Sequence, residues 1–328
     1  MLNVAENRMP TLKVVIQSRN RKAFLRESLA SVINSANTLP SGVVCEIQVS
    51  DNSQNEECVE LVKEIYPQIQ VISRRPNLEP HDHATKILKE AFSDYLVLFH
   101  DDDIMKINFL PHLYQLLTIN TQASAVGCNS LYLINGMEGK ESFLKQDNSL
   151  IIIDTPDKLI DKYFLYGNQS IVPFSSYMYD TFKIKGILPK KKNGGKHADV
   201  AFLFEVAQRG LLIWTSEVLM NYRLHESNDN GTVSISSKIG LLRYLRRHVH
   251  ERKSQALQDF RFSIMLNWLK VKVKRNYNYF QWTASQKLIF RFLVYGVIHR
   301  FVFTPGFRLF FLRKFIDYKK KSRKIKYR

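Results

Sequence analysis

The sequence predicts an α/β fold, a mostly parallel sheet flanked by helices, followed by a basic helical appendage at the C-terminus. Three observations carry this reading. Short apolar runs alternate with amphipathic stretches of helical period through the N-terminal half. Each apolar run ends in a polar cluster. The excess positive charge of the chain falls entirely after residue 237.

The first strand runs from Leu12 to Gln17 and ends at Ser18-Arg19-Asn20. Residues 22–35 place Phe24, Leu25, Leu29, Val32 and Ile33 on one helical stripe. Glu46 to Ser50 alternates, with Ile47 and Val49 on one face, and runs into Asp51-Asn52-Ser53. Residues 55–66 align Val59, Val62 and Ile65 on a second helix, and Ile69 to Ile72 is the third strand, closed by Arg74-Arg75. Residues 83–92 form a third helix with Ile87, Leu88, Ala91 and Phe92 on its face. The fourth strand, Tyr95 to Phe99, opens directly into His100-Asp101-Asp102-Asp103. Strands alternating with helices in this way argue for a parallel sheet covered on both faces.

The Asp run is the densest chemistry in the chain. Open α/β sheets bind ligands at the C-terminal ends of their strands. Three adjacent carboxylates repel one another unless a cation or an Arg/Lys cluster neutralises them. A hard divalent cation suits several oxygen ligands and commonly also holds a substrate's phosphates. The competing reading is a solvated acidic turn in which Asp103 caps a helix beginning near Ile104. Polar clusters after all four strands favour the ligand-binding reading.

Thr11 to Arg21 leading into a helix, Val49-Ser50-Asp51-Asn52-Ser53, Arg75-Pro76-Asn77-Leu78 before the next helix, and Tyr95 to Asp103 together resemble the nucleotide-sugar half of family 2 glycosyltransferases, which have the Rossmann-like GT-A fold. The resemblance spans roughly residues 10–230. It implies a nucleotide-diphosphate sugar as donor, with Asp51 at the nucleotide base and the exit of the first strand, Gln17 and Arg19, lining the same pocket. It implies that Asp101, Asp102 and Asp103 hold Mn²⁺ or Mg²⁺ on the donor diphosphate, with Asp101 and Asp102 also among the donor contacts. His100 departs from the usual residue before the acids and is either a hydrogen-bond donor behind them or packing, and Gln17-Ser18-Arg19-Asn20 departs from the Pro-Thr-Tyr-Asn common in relatives, with Arg19 either a phosphate or carboxylate contact or a surface cation at the helix entrance. Within Pro80-His81-Asp82-His83, Asp82 is expected to contact base or ribose, or to cap the helix that follows; a separate metal site there is not expected.

The acceptor half is expected at residues 123–237, after the nucleotide-sugar half at 10–122. Residues 124–134 read as a strand and 140–154 as an irregular or hairpin excursion. Behind Gly194-Gly195, Asp199 opens a helix running through Gln208. The resemblance implies that Asp199 is the acceptor-activating base of an inverting enzyme, because a sugar hydroxyl is a poor nucleophile until its proton is removed. A dipole-stabilising role for Asp199 is the competing reading. After the strand Leu211 to Trp214, the segment Asn221-Tyr222-Arg223-Leu224-His225 resembles the Tyr-Arg-x-His segment of relatives, which implies a metal or diphosphate contact for His225; a loop histidine with no metal role is the competing reading. The acceptor is expected to be a saccharide or lipid-linked glycan in surface polysaccharide or lipopolysaccharide synthesis.

Residues 1–237 hold 24 basic and 27 acidic side chains, net −3, whereas residues 238–328 hold 24 basic and 3 acidic, net +21. Such asymmetry points to an anionic partner. Between Leu288 and Phe315 basic residues interleave with Phe, Leu, Ile, Val and Tyr, and no stretch is apolar for the ~18 residues a spanning helix needs. The expected role of 238–328 is membrane association, lying in the interface of an anionic membrane; a helical domain with its aromatics in the core and its charges solvated is the competing reading. Nucleic acid is not expected, for want of a recognition fold. Cys45, Cys58 and Cys128 lack metal-ligand spacing and suit a reducing compartment, and Met1 to Pro10 is polar, so a cytoplasmic protein at the inner face of the plasma membrane is expected. A sugar-phosphate nucleotidyltransferase is the rival enzyme, but residues 17–23 contain no glycine for its phosphate loop. A non-catalytic membrane- or polyanion-binding protein is the rival outside enzymes.

Overall fold

Period-two alternation in the first strands sorts their side chains onto two faces. In β1 (Thr11–Ser18), Leu12, Val14 and Ile16 enter one core while Val15 enters another. In β4 (Tyr95–His100), Val97 and Phe99 share the first core and Leu96 and Leu98 the second. Helices α1 (Lys22–Ala36), α2 (Glu57–Ile65) and α4 (Phe109–Ile119) bury Leu25, Leu29, Val32, Leu61, Val62, Leu110 and Leu113 in the first core. Helix α3 (Pro80–Glu90) places Ile87 in the second, but it ends before Ala91, and Phe92, expected on its face, is exposed. The computed structural model of the chain describes residues 8–145, 149–166, 170–225, 234–249 and 254–275.

The remaining elements are β2 (Val44–Asp51), β3 (Gln70–Ser73), β5 (Ile104–Met105), β6 (Ala123–Ile134), β7 (Met137–Ser142), β8 (Leu150–Ile153), α5 (Pro156–Phe164), β9 (Tyr177–Asp180), α6 (Ala198–Val206), β10 (Leu211–Leu224), α7 (Ile235–His248) and α8 (Gln255–Arg275). The sheet order is β3-β2-β1-β4-β9-β6-β10-β5, with β7 beside β6 and β8 beside β10. Strands β3, β2, β1 and β4 are parallel, so their C-terminal ends share one edge. The expected α/β architecture is present, and the sheet is mixed: β9 runs antiparallel to both β4 and β6, while β6 and β10 are parallel.

Two readings of local structure change. No helix begins at Ile104: Ile104–Met105 is the short strand β5, and α4 starts at Phe109 behind Asn108. The reason is a distant partner, since Ile104 and Met105 pair with Asn221 and Met220 of β10. Strand β10 itself does not end at Trp214. Register shifts around Thr215–Met220 carry it past Ser216 and Glu217 as an irregularity, and it continues to Leu224. The excursion at 140–154 resolves into the end of a β6–β7 hairpin and β8, with Asn135 and Gly136 both at positive φ in the turn.

Three serines on α1 tie the Asp run to the core. Ser28 Oγ donates to the carbonyl of His100 at 3.0 Å, and Ser31 and Ser35 accept from the backbone N–H groups of Met105 and Leu110, each at 3.0 Å. Backbone groups in this irregular stretch thus find partners that no strand ladder supplies.

The chain divides into two compact units, Met1–Leu159 with Ser170–His250, and Ile160–Gln169 with Glu251–Arg328. Helix α7 falls in the first. Within the second, Phe164 stacks on Phe260 with centroids 3.9 Å apart, and the Tyr166 N–H donates to Asp259 at 3.0 Å. Residues 276–328, which include the interleaved segment 288–315, lie outside the described residues. Among the described residues no helix is long and apolar enough to cross a membrane.

Candidate active site

Parallel pairing sets Gln17 of β1 beside Ser50 of β2 and His100 of β4, and Ser18 beside Asp51. The acid cluster is built on that edge. The Asp101 N–H donates to the Gln17 carbonyl at 3.2 Å, and the Arg19 N–H returns a bond to Asp101 Oδ2 at 3.0 Å. Arg19 contributes its backbone here while its side chain is exposed; the guanidinium in the cluster belongs to Arg21. Arg21 Nη1 lies 3.1 Å from Asp101 Oδ1 and 2.6 Å from Asp102 Oδ2.

The opposite wall comes from β10. Because β5 pairs with its Met220 and Asn221, the next residues reach the Asp run. The Arg223 N–H donates to Asp103 Oδ1 at 3.1 Å and its Nε to the Asp102 carbonyl at 2.8 Å. The His225 ring nitrogen Nε2 lies 2.9 Å from Asp102 Oδ2. Phe24 of α1, expected in the core, is only half-buried; its ring sits 5.0 Å from that of His225 and beneath the Arg223 guanidinium. Asp103 also accepts from Ser175 Oγ at 2.5 Å.

All three carboxylates are buried. Burial and the charge of Asp102 push the Asp103 carboxyl up to about 8, despite bonds from Ser175 and Arg223. Burial likewise pushes Asp101 up to about 6, against the opposing pull of Arg21. Asp102 moves the other way: burial raises it, but His100, Arg21 and His225 together outweigh burial and hold it below the usual range. Such a donor set fits a divalent cation, which would offset the burial and mutual repulsion that lift Asp101 and Asp103. His100, Asp102 and Asp103 each offer a ligand atom, all within 4.8 Å of one another.

Asp51 lies on the same edge, buried, at the end of β2, two strands from β4. Its Oδ1 accepts from Ser53, and its Oδ2 is buried with no hydrogen-bond partner. Burial raises its carboxyl above the ordinary value. An acceptor held dry and unpaired in this way costs free energy unless a ligand completes it. The loop is pinned by a reciprocal pair: Asn52 Nδ2 donates to the Leu78 carbonyl at 2.8 Å, and the Leu78 N–H donates to Asn52 Oδ1 at 2.7 Å. Asp82 sits in the first turn of α3, exposed and 3.4 Å from His81; the cap position belongs to Glu79, with Pro80 following.

Asp199 occupies the first turn of α6, with Oδ1 buried and unpartnered. Burial pushes its carboxyl up to about 6. Phe202, one turn along α6, contacts the Phe174 ring at 6.0 Å, and Phe174 contacts His100 at 6.3 Å, which ties this helix to the end of β4.

Residues 13–184, just over half of the chain, match the family described as Glycosyl transferase family 2. The chain belongs to this family. It is therefore a glycosyltransferase, with a mixed sheet flanked by helices as the family's fold requires. A comparison with curated protein sequences finds no match. Solved structures of S. aureus TarS share the fold. Residues 1–349 of TarS in complex with UDP-GlcNAc superpose with TM-score 0.57 at 14% identity, covering 80% of this chain and 73% of that one. The same fragment with UDP gives 0.51 at 15%, covering 73% and 71%.

Three residues of this glycosyltransferase's site carry no role in the sequence reading: Arg21, Ser175 and the Arg223 backbone. Arg21 had a signal, being the second arginine of the loop that follows the first strand. Ser175 had none, because its partner lies 72 positions away.

Proposed function

We propose that the protein transfers a sugar from a nucleotide-diphosphate donor to a saccharide or lipid-linked acceptor with inversion at the anomeric carbon. The observation that carries this reading is the shared edge of β2, β1 and β4. It presents an unpaired buried Asp51 oxygen two strands away from a cluster of three carboxylates. Asp51 accepts from an N–H of the nucleotide base, and Gln17, Arg19 and Asp82 border the donor. Asp101 and Asp102 contact the donor's ribose and diphosphate. Mn²⁺ or Mg²⁺ would be held by Asp102 and Asp103 with Asp101, His100 or His225, and would supply charge stabilisation to the departing nucleoside diphosphate.

Asp199 removes the proton from the acceptor hydroxyl as that oxygen attacks the anomeric carbon. A carboxyl titrating near 6 is ionised at neutral pH and still basic enough to accept this proton. Single displacement inverts the centre, and no covalent intermediate forms. The +21 charge of residues 238–328 supports association with an anionic membrane surface, and the proposed role is surface-glycan synthesis at the cytoplasmic face of that membrane.

Calorimetry with UDP tests the donor reading, with and without Mn²⁺, on the wild type and on Asp51→Ala. Metal-strengthened binding that Asp51→Ala weakens ~10-fold is expected, equivalent to one good hydrogen bond to a charged group. Absence of nucleotide binding to the wild type overturns it.

A further inference from the structure

At the opposite end of α6 from Asp199 lies a cavity of about 630 Å³, within the first compact unit. It is lined by Lys190 and Lys192 from the loop before α6, Arg209 just beyond the end of α6, and Arg243 and Arg247 from α7. Among the described residues none of these five side chains pairs with an acid. The one carboxylate in the wall, Glu205, is engaged by the Tyr244 hydroxyl at 2.7 Å and by Asn193 Nδ2 at 3.4 Å.

The charges do not balance. Helix C-termini from α6 and α7 lie here, and each contributes roughly half a negative charge. With Glu205 this opposes five cations with about two negative charges and leaves an excess of about +3. Arg243 and Arg247 are also one helical turn apart, where like charges destabilise a helix by a few tenths of a kcal/mol. Dispersed on the surface, such side chains would be solvated at little cost; gathered around one concavity they raise the local potential and focus it.

The excess selects the ligand. One carboxylate leaves about two charges uncompensated. Two phosphate groups, as in a diphosphate or adjoining phosphodiesters, match the excess and present the oxygens that guanidinium forks bind in pairs. We propose that this cavity is a binding site for a ligand carrying two or more phosphate groups, separate from the donor site on the sheet edge. Six residues of α6, ~9 Å of helix, separate Asp199 from Glu205. A phosphate-bearing molecule held here therefore lies along the helix that carries the proposed base.

The test uses the full chain and the triple variant Lys192→Gln, Arg243→Gln, Arg247→Gln. All three side chains are exposed, and none belongs to the acid cluster. Pyrophosphate binding is measured by calorimetry in EDTA, so that the carboxylates hold no divalent cation. The wild type is expected to bind, and the triple variant at least ~10-fold more weakly, since each lost charged hydrogen bond is worth about that much. UDP binding with Mn²⁺ stays unchanged in the variant, which shows that fold and donor site survive. Equal pyrophosphate affinity in the two proteins, or no binding by the wild type at ~1 mM, overturns the proposal. Two further probes separate the sources of phosphate. If only vesicles of phosphatidylcholine and cardiolipin, whose headgroup carries two phosphates, lose affinity for the variant, the ligand is a lipid headgroup. If only a soluble glycerol-phosphate oligomer does, it is a phosphodiester chain.

Discussion

The Arg21 guanidinium stands 2.6 Å from Asp102 Oδ2 while still within 3.1 Å of Asp101. One cation from the β1–α1 loop thus spans two carboxylates of the strand end. Arg21 lowers both carboxyls, and without it only the bonds from the Arg19 N–H and Ser18 oppose burial and the charge of Asp102 on Asp101. Arg21→Gln is expected to destabilise the protein by about 1–3 kcal/mol, the range for losing a partner of a buried charge. Mn²⁺ should restore more stability to this variant than it adds to the wild type, because the ion replaces the missing charge. Thermal melts of both proteins with and without Mn²⁺ check this; equal increments refute it.

Asp199 makes a prediction in which stability and activity move in opposite directions. Its folded carboxyl titrates near 6, above its ordinary 3.8, so the folded state holds a proton that the unfolded chain releases between those values. Its contribution to stability is fully present below about 4 and is lost as the pH rises through about 6. Asp199→Asn removes the buried charge and should stabilise the protein by about 1–3 kcal/mol near neutral pH, with the gain vanishing near pH 4. Turnover should fall ~10²–10⁴-fold. In the wild type kcat/KM should rise with pH along a limb near 6, and this limb should be missing from the residual activity of the variant.

Two glycines with positive φ should respond differently to substitution. Gly136, at φ +78, has open space where a Cβ would go, so Gly136→Ala should cost only backbone strain, about 1 kcal/mol. Gly195, at φ +57, would bring its Cβ within 2.4 Å of Ser237 Oγ and 3.0 Å of Ser237 Cβ. Gly195→Ala should therefore cost about 2–4 kcal/mol, strain plus displacement of the α7 N-terminus. Denaturant midpoints of the two variants measure the difference.

The membrane proposal predicts a salt-dependent attachment. Replacing the basic residues of Lys319–Arg328 with glutamine should weaken binding to anionic vesicles, by on the order of 1 kcal/mol per charge that reaches the surface. The remaining, apolar part of the binding should persist at high salt, where a Debye length of ~3 Å at 1 M screens the charges. Co-sedimentation across a salt series reads both terms. A variant that binds as the wild type does at low salt removes the electrostatic half of the proposal.

The periodicity of residues 11–100 was enough to place four strands and three helices, because it marks the apolar face of each element whichever elements that face later meets. Leu12, Val14 and Ile16 against Leu25, Leu29 and Val32 is a local problem with one solution. The chemistry at strand ends was legible for the same reason: Asp51 and Asp101–Asp103 each follow directly on a strand whose direction the alternation with helices sets. Phe24 shows where this reading stops. Its helical stripe marked it as core, yet its ring lies beneath Arg223 and beside His225.

The sequence by itself determined the order of strands and helices, the acids at the strand ends and the charge asymmetry of the two halves. Tertiary structure decided which groups meet those acids. Ile104–Met105 is a strand only because β10 lies beside it, and that pairing delivers Arg223 to Asp103 across 120 residues. Ser175 reaches the same carboxylate from a single turn of 3₁₀ helix with no periodic signal. Periodicity reports which face of an element is buried. It carries no record of which distant backbone N–H or hydroxyl will satisfy a buried carboxylate, because that partner is chosen only when the whole sheet has closed.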